Sequence, residues 1–249
     1  MLRLVAAALV LAPSISSAQG LLWKLPPDGE SATYAGTVTQ VLRRTGSTEQ
    51  DVELTFNRQL EVRSVGQQQG EWNGETVPAR WIEMEQTTTT SDGSQSTGPG
   101  GQVLVKLLVP ESFIDGQVAD PRGIPKSAIP MIRGYVLKDG GEIEELSGNT
   151  YQPFPAITLL GMPKNLADQG GSLKSTETIE SPTSRIELDT TIVPDPNTPF
   201  GIASWTVTSK ESDKQAAEPR SSFILRSETS ESMELKRTGS GAISAIDRN

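Results

Sequence analysis

DVELTFN, residues Asp51 to Asn57, decides how the rest of the chain is read. Val52, Leu54 and Phe56 alternate with Asp51, Glu53 and Thr55, the period-two pattern of a strand with one face inward and the other in water. QLEVRSV (Gln59 to Val65) repeats the pattern with Leu60 and Val62. Upstream, TYAGTVTQVLR (Thr33 to Arg43) puts Tyr34, Val38 and Leu42 on one face. Downstream, Arg80 to Thr90 and Gln102 to Val109 read as longer strands joined by the Gly/Ser-rich loop Ser91 to Gly101. Met131 to Leu146 reads as a hairpin, with Asp139-Gly140 supplying the positive φ angles of a tight turn.

Further strands are expected at Ser175–Glu180, Ser184–Val193, Ala203–Ser209, Phe223–Arg226 and Met233–Arg237. Lys210 to Arg220 suits a solvated hairpin loop. Two stretches break the rhythm. Residues 110–130, with Pro110, Pro121, Pro125 and Pro130, read as an irregular insert with one helical candidate at Glu111–Val118. Residues 151–173 form a second insert, with a helical turn expected at Pro163–Asp168. No repeat of 20–50 residues is visible. The expectation is an all-β, mainly antiparallel single domain with one to three short helices, arranged as a curved half-barrel or a sandwich.

The N-terminus carries an address. Arg3 precedes the apolar run Leu4 to Ala12, Pro13 ends it, and Ser16-Ser17-Ala18 offers small residues to a signal peptidase. Residues 1–18 are expected to be an export signal, with residues 19–249 the folded domain. No later apolar run approaches the ~18 residues a membrane-spanning helix needs, so no transmembrane anchor is expected.

Composition narrows the chemistry. The 249 residues include no cysteine and no histidine, which removes disulfides, thiolate or imidazole metal sites, Cys nucleophiles and Ser-His-Asp triads. A net charge of −9 disfavours nucleic acid and anionic membranes as partners. Gly-x-Ser-x-Gly, Ser-x-x-Lys and the phosphate-binding glycine loops are absent. Asp139-Gly-Gly-Glu142 and Asp195-Pro-Asn197 have oxygen ligands, but turn chemistry explains both. No catalytic residue, metal or cofactor is assigned, and the chain reads as a binding protein rather than an enzyme.

Two sets of residues are candidates for ligand binding. Trp72 lies in EWNGE, and in RWIEME Trp81, Glu83 and Glu85 share one strand face. Indole beside carboxylate suits a glycan, bound or cleaved, since paired carboxylates can hydrolyse a glycosidic bond. The alternative is that Trp81 covers core while Glu83 and Glu85 stand in solvent. The inserts carry Ile132, Phe154, Leu159 and Met162, apolar side chains in irregular chain that either close the core or line a groove for an apolar or amphiphilic ligand. A third reading is a structural or assembly component of the envelope that presents a sheet edge or face to a protein partner.

The phrases WKLP (Trp23–Pro26), VPARWIE (Val77–Glu83), KLLVPE (Lys106–Glu111), PFGIASW (Pro199–Trp205) and GAISA (Gly241–Ala245) occur in that order. Together they resemble a group of exported β-rich proteins common in planctomycete bacteria. That resemblance implies export and a single domain, and no mechanism. A looser, purely architectural likeness is to the periplasmic lipoprotein carriers, whose curved antiparallel sheet grips acyl chains beneath short helices.

Overall fold

The computed structural model describes residues 22, 24–44, 46, 50–90, 101–114, 129–152, 167–168 and 171–248. The strands are β1 (Ser31–Leu42), β2 (Val52–Trp72), β3 (Glu75–Thr90), β4 (Gln102–Pro110), β5 (Ile129–Met131), β6 (Arg133–Lys138) and β7 (Glu144–Leu146). They continue with β8 (Thr150–Gln152), β9 (Ala167–Asp168), β10 (Leu173–Glu180), β11 (Ser184–Pro194), β12 (Ile202–Asp213) and β13 (Ile224–Gly239). Single 3-10 turns lie at Glu111–Phe113 and Arg220–Ser222.

Eleven strands form one antiparallel sheet in the order β7-β6-β4-β3-β2-β1-β13-β12-β11-β10-β9, and β5 pairs with β8. Sequence neighbours are mostly spatial neighbours, while the first and last strands meet in the middle. The sheet stays open and uncurled, and the two-layer sandwich among the expectations does not form, because every long strand belongs to this one sheet. The chain is all-β, antiparallel and a single domain.

Several boundaries move for identifiable reasons. The runs at Asp51–Asn57 and Gln59–Val65 are parts of one strand, β2, because Arg58 stays in register between β1 and β3. That strand continues to Trp72 and turns back at Asn73-Gly74, both at positive φ (53° and 83°), as a tight hairpin requires. Phe223–Arg226 and Met233–Arg237 likewise merge into β13: the polar run Ser227–Ser232 is held by ladders to β1 and β12 on either side. Asp139-Gly140 turns as expected, with φ of 49° and 68°. The helix expected at Glu111–Val118 is a single 3-10 turn over Glu111–Phe113, with residues 115–118 outside the described set. Ala167–Asp168, expected to be helical, instead pairs with Leu173–Lys174 as β9.

One face of the sheet carries the main core: Tyr34, Leu60, Val62, Ile82, Met84, Leu107, Ile192, Trp205 and Met233. Leu22 of the leading segment, Ile114, Ile129 and Met131 of β5, and Phe200 join the same cluster from outside the large sheet. A smaller cluster occupies the opposite, outer face and contains Ala79, Trp81, Leu104, Leu108, Tyr135 and Ile246.

Candidate functional site

Trp81, Glu83 and Glu85 do share one face of β3, the outer one, but the first two are closed over. Residues 241–248 cross the outer face as a strap without strand pairing. Glu83 is fully buried and accepts hydrogen bonds from Ala245 N (2.8 Å), Ser244 Oγ (2.6 Å) and Arg63 Nη2 (2.9 Å). Lys106, opposite Glu83 on β4, donates to the carbonyls of Ile246 (2.9 Å) and Arg248 (2.6 Å). Burial pulls the Lys106 ammonium below its usual value, against the nearby carboxylates of Glu83 and Asp247. Trp81 is buried, with Lys106 Nζ 4.9 Å from its ring and Tyr135 stacked at 6.0 Å. Its indole N–H has no hydrogen-bond partner. Trp81 therefore offers no open ring face to a sugar, and Glu83, expected in solvent on the bland reading, is the most enclosed carboxylate of the outer face. Glu85 stays part-exposed and bonds Arg63 at 2.9 Å.

The other expected residues are not gathered here. Trp72 ends β2 opposite Glu75, six positions along β3 from Trp81 or roughly 20 Å at strand rise. Ile132 packs against the outer cluster, on the other side of the sheet from Ile129 and Met131. Phe154, Leu159 and Met162 lie outside the described residues.

No family model matches the chain, and no curated protein matches it.

The main-core face holds a second constellation, one that residue patterns did not single out. Arg58, the residue between the two alternating runs, faces the core from β2 and is buried. Its Nη1 bonds Glu231 of β13, reaching over β1, where the register position beside it is Gly36. Glu231 is equally buried and also accepts from Trp205 Nε1 at 2.7 Å. Burial pushes the Glu231 carboxyl above the usual carboxylate range, although Arg58 and the indole pull the other way. Desolvation lowers Arg58 in turn.

Register shows what surrounds the pair. Phe56, Val38, Glu231, Val207, Thr190 and Ser175 form one row across β2, β1, β13, β12, β11 and β10. Thr190 is buried, and the buried Ser175 Oγ has no hydrogen-bond partner. Two rows further out, the same face ends in Val52, Leu42, Ser227, Glu211, Ile186 and Ile179. Here the cover stops. Leu42 is 39% exposed, Leu54 40%, Ile179 43% and Ile224 41%. Among the described residues only one other large apolar side chain is exposed, so these four concentrate at one end of one face. From β2 to β10 the strip crosses five strand spacings, about 24 Å. Leu54, expected inward, does point to the core face, but beyond the reach of the core's cover.

Among the described residues no group of His, Cys, Asp and Glu is arranged to hold a metal, and no helix is long and apolar enough to cross a membrane.

Proposed function

We propose that this is an exported binding protein that takes an apolar or amphiphilic ligand on the open end of the sheet's core face. The observation that carries the reading is that four half-exposed aliphatics, Leu42, Leu54, Ile179 and Ile224, gather at that end of the face, with Ser227 and Glu211 between Leu42 and Ile179. Scattered surface leucines need no explanation, but apolar side chains gathered at one end of a core-bearing face mark a surface that is covered in use. Inward of these side chains the face is closed: the Ser175 hydroxyl and the Arg58–Glu231 pair are buried, so the ligand meets the aliphatic groups at the open end. Export rests on the pattern of residues 1–18 and on the resemblance of the five quoted phrases to exported proteins.

The test is uptake of a fluorescent fatty-acid probe by the mature protein, beside native mass spectrometry of material purified gently from the exported fraction. Saturable binding that long-chain fatty acid displaces is expected, together with an extra mass lost on organic extraction. Leu54→Asp and Ile179→Asp should abolish uptake while shifting stability by no more than about 0.5 kcal/mol, since both side chains are substantially exposed. Unchanged uptake in both variants, or none in the parent, would sink the proposal.

A further inference from the structure

The strap over the outer face is bound as a peptide is bound by a receptor. Glu83 takes the N–H of Ala245 and the hydroxyl of Ser244, Lys106 takes two carbonyls, and Ile246 is the strap's one fully buried side chain, set among Trp81, Leu104, Leu108 and Tyr135. None of these contacts belongs to a strand ladder, so the strap can leave without breaking the sheet. The groove cannot cheaply stay empty. Without the strap, Glu83 loses its donors from Ser244 and Ala245, Lys106 loses its carbonyls, and Trp81, whose indole N–H is already unpartnered, loses its cover. Ahead of the strap lies Gly239-Ser240-Gly241, with Gly241 at φ 77°, a short segment suited to redirect the chain.

We propose that this groove also accepts the strap of a second copy of the chain, so that two copies pair by exchanging residues 241–248. Every contact made within one chain is then remade between two, and nothing in the groove is lost. A second observation points the same way. Ile243 is 81% exposed, the most exposed large apolar side chain among the described residues, and it lies between the glycines and the buried Ile246. If the exchange is two-fold, Ile243 of the two copies would meet where the straps cross, which is what Ile243→Ser tests. A short tether gives the internal strap an effective concentration on the order of mM, so exchange should become visible at protein concentrations near that value.

The experiment uses the full mature chain. Native mass spectrometry after mixing isotopically heavy and light protein at ~mM concentration should show mixed dimers. Ile246→Asp should remove them and let a labelled peptide of sequence GAISAIDR bind the vacated groove, at least tenfold tighter than it binds the parent. Should Ile246→Asp fail to fold, Ala245→Pro serves instead, because it deletes the N–H that Glu83 accepts at an exposed strap position. Ile243→Ser should weaken the dimer while leaving the strap seated. A parent that stays monomeric at ~mM concentration overturns the proposal, as do dimers that persist in the strap variants.

Discussion

Replacing Glu231 by Gln removes the buried counter-charge that Arg58 bonds across β1. The shape is conserved and the amide oxygen can still accept from Trp205 Nε1, so the perturbation is almost purely electrostatic. Both side chains of the pair have no exposed area, which puts the site in the regime where removal of one partner costs about 3–5 kcal/mol. Removing both charges is a different matter. Arg58→Met with Glu231→Leu exchanges two desolvated ions for apolar groups beside Val38, Phe56 and Met233, and should leave stability within about 1 kcal/mol of the parent or raise it. Urea unfolding, followed by tryptophan emission and far-ultraviolet circular dichroism, measures all four corners of the cycle. A Glu231→Gln cost below about 1 kcal/mol would refute the reasoning, as would a double variant destabilised by the sum of the single ones.

Two further outcomes follow from the same face of the sheet. The folded protein holds the Glu231 proton more tightly than the unfolded chain does, so between the ordinary and the raised value this group adds stability as pH falls. Its contribution should therefore oppose acid destabilisation above the ordinary carboxylate range, and urea midpoints there should decline more steeply with falling pH in Glu231→Gln than in the parent. At Gly36 a methyl group would sit 1.8 Å from the carbonyl oxygen of Ser232, a backbone atom that cannot swing aside. Gly36→Ala should cost about 3 kcal/mol or more by urea unfolding, and a change within experimental error would contradict the close approach of β1 and β13.

Alternation in Val52–Phe56 and Leu60–Val62 was enough to read an antiparallel all-β domain, because period two has no other common cause in runs of this length. The Asp139-Gly140 turn was legible for the same local reason, and Asn73-Gly74 carries an equally clear signal that places the end of β2. Other features depend on partners far along the chain. Ser227–Ser232 looks like a loop until β1 and β12 flank it, and Arg58 looks like a surface residue until Glu231 lies across β1 from it. Indole beside carboxylate at Trp81–Glu83 was visible, but what occupies that site, residues 244–248, lies some 160 residues away. The strip at Leu42, Leu54, Ile179 and Ile224 needs the register of six strands to assemble, and no local pattern contains it.

The ladder between β1 and β13 joins residues as far apart as Ser31 and Gly239, and the side chains of Thr33 and Arg237 meet at a sequence separation of 204. These two strands are the middle of the sheet, so its centre is the part that must wait longest for its second half. A chain emerging from a ribosome or threading through a channel can form the hairpins β2–β3–β4 and β10–β11–β12 early, but each half then ends in an unpaired strand edge. Long-range pairing of this kind is slow, and exposed edges invite aggregation in the interval. Until β13 arrives, the nascent protein is two sticky half-sheets, and a holding chaperone would find its natural target at the β1 edge.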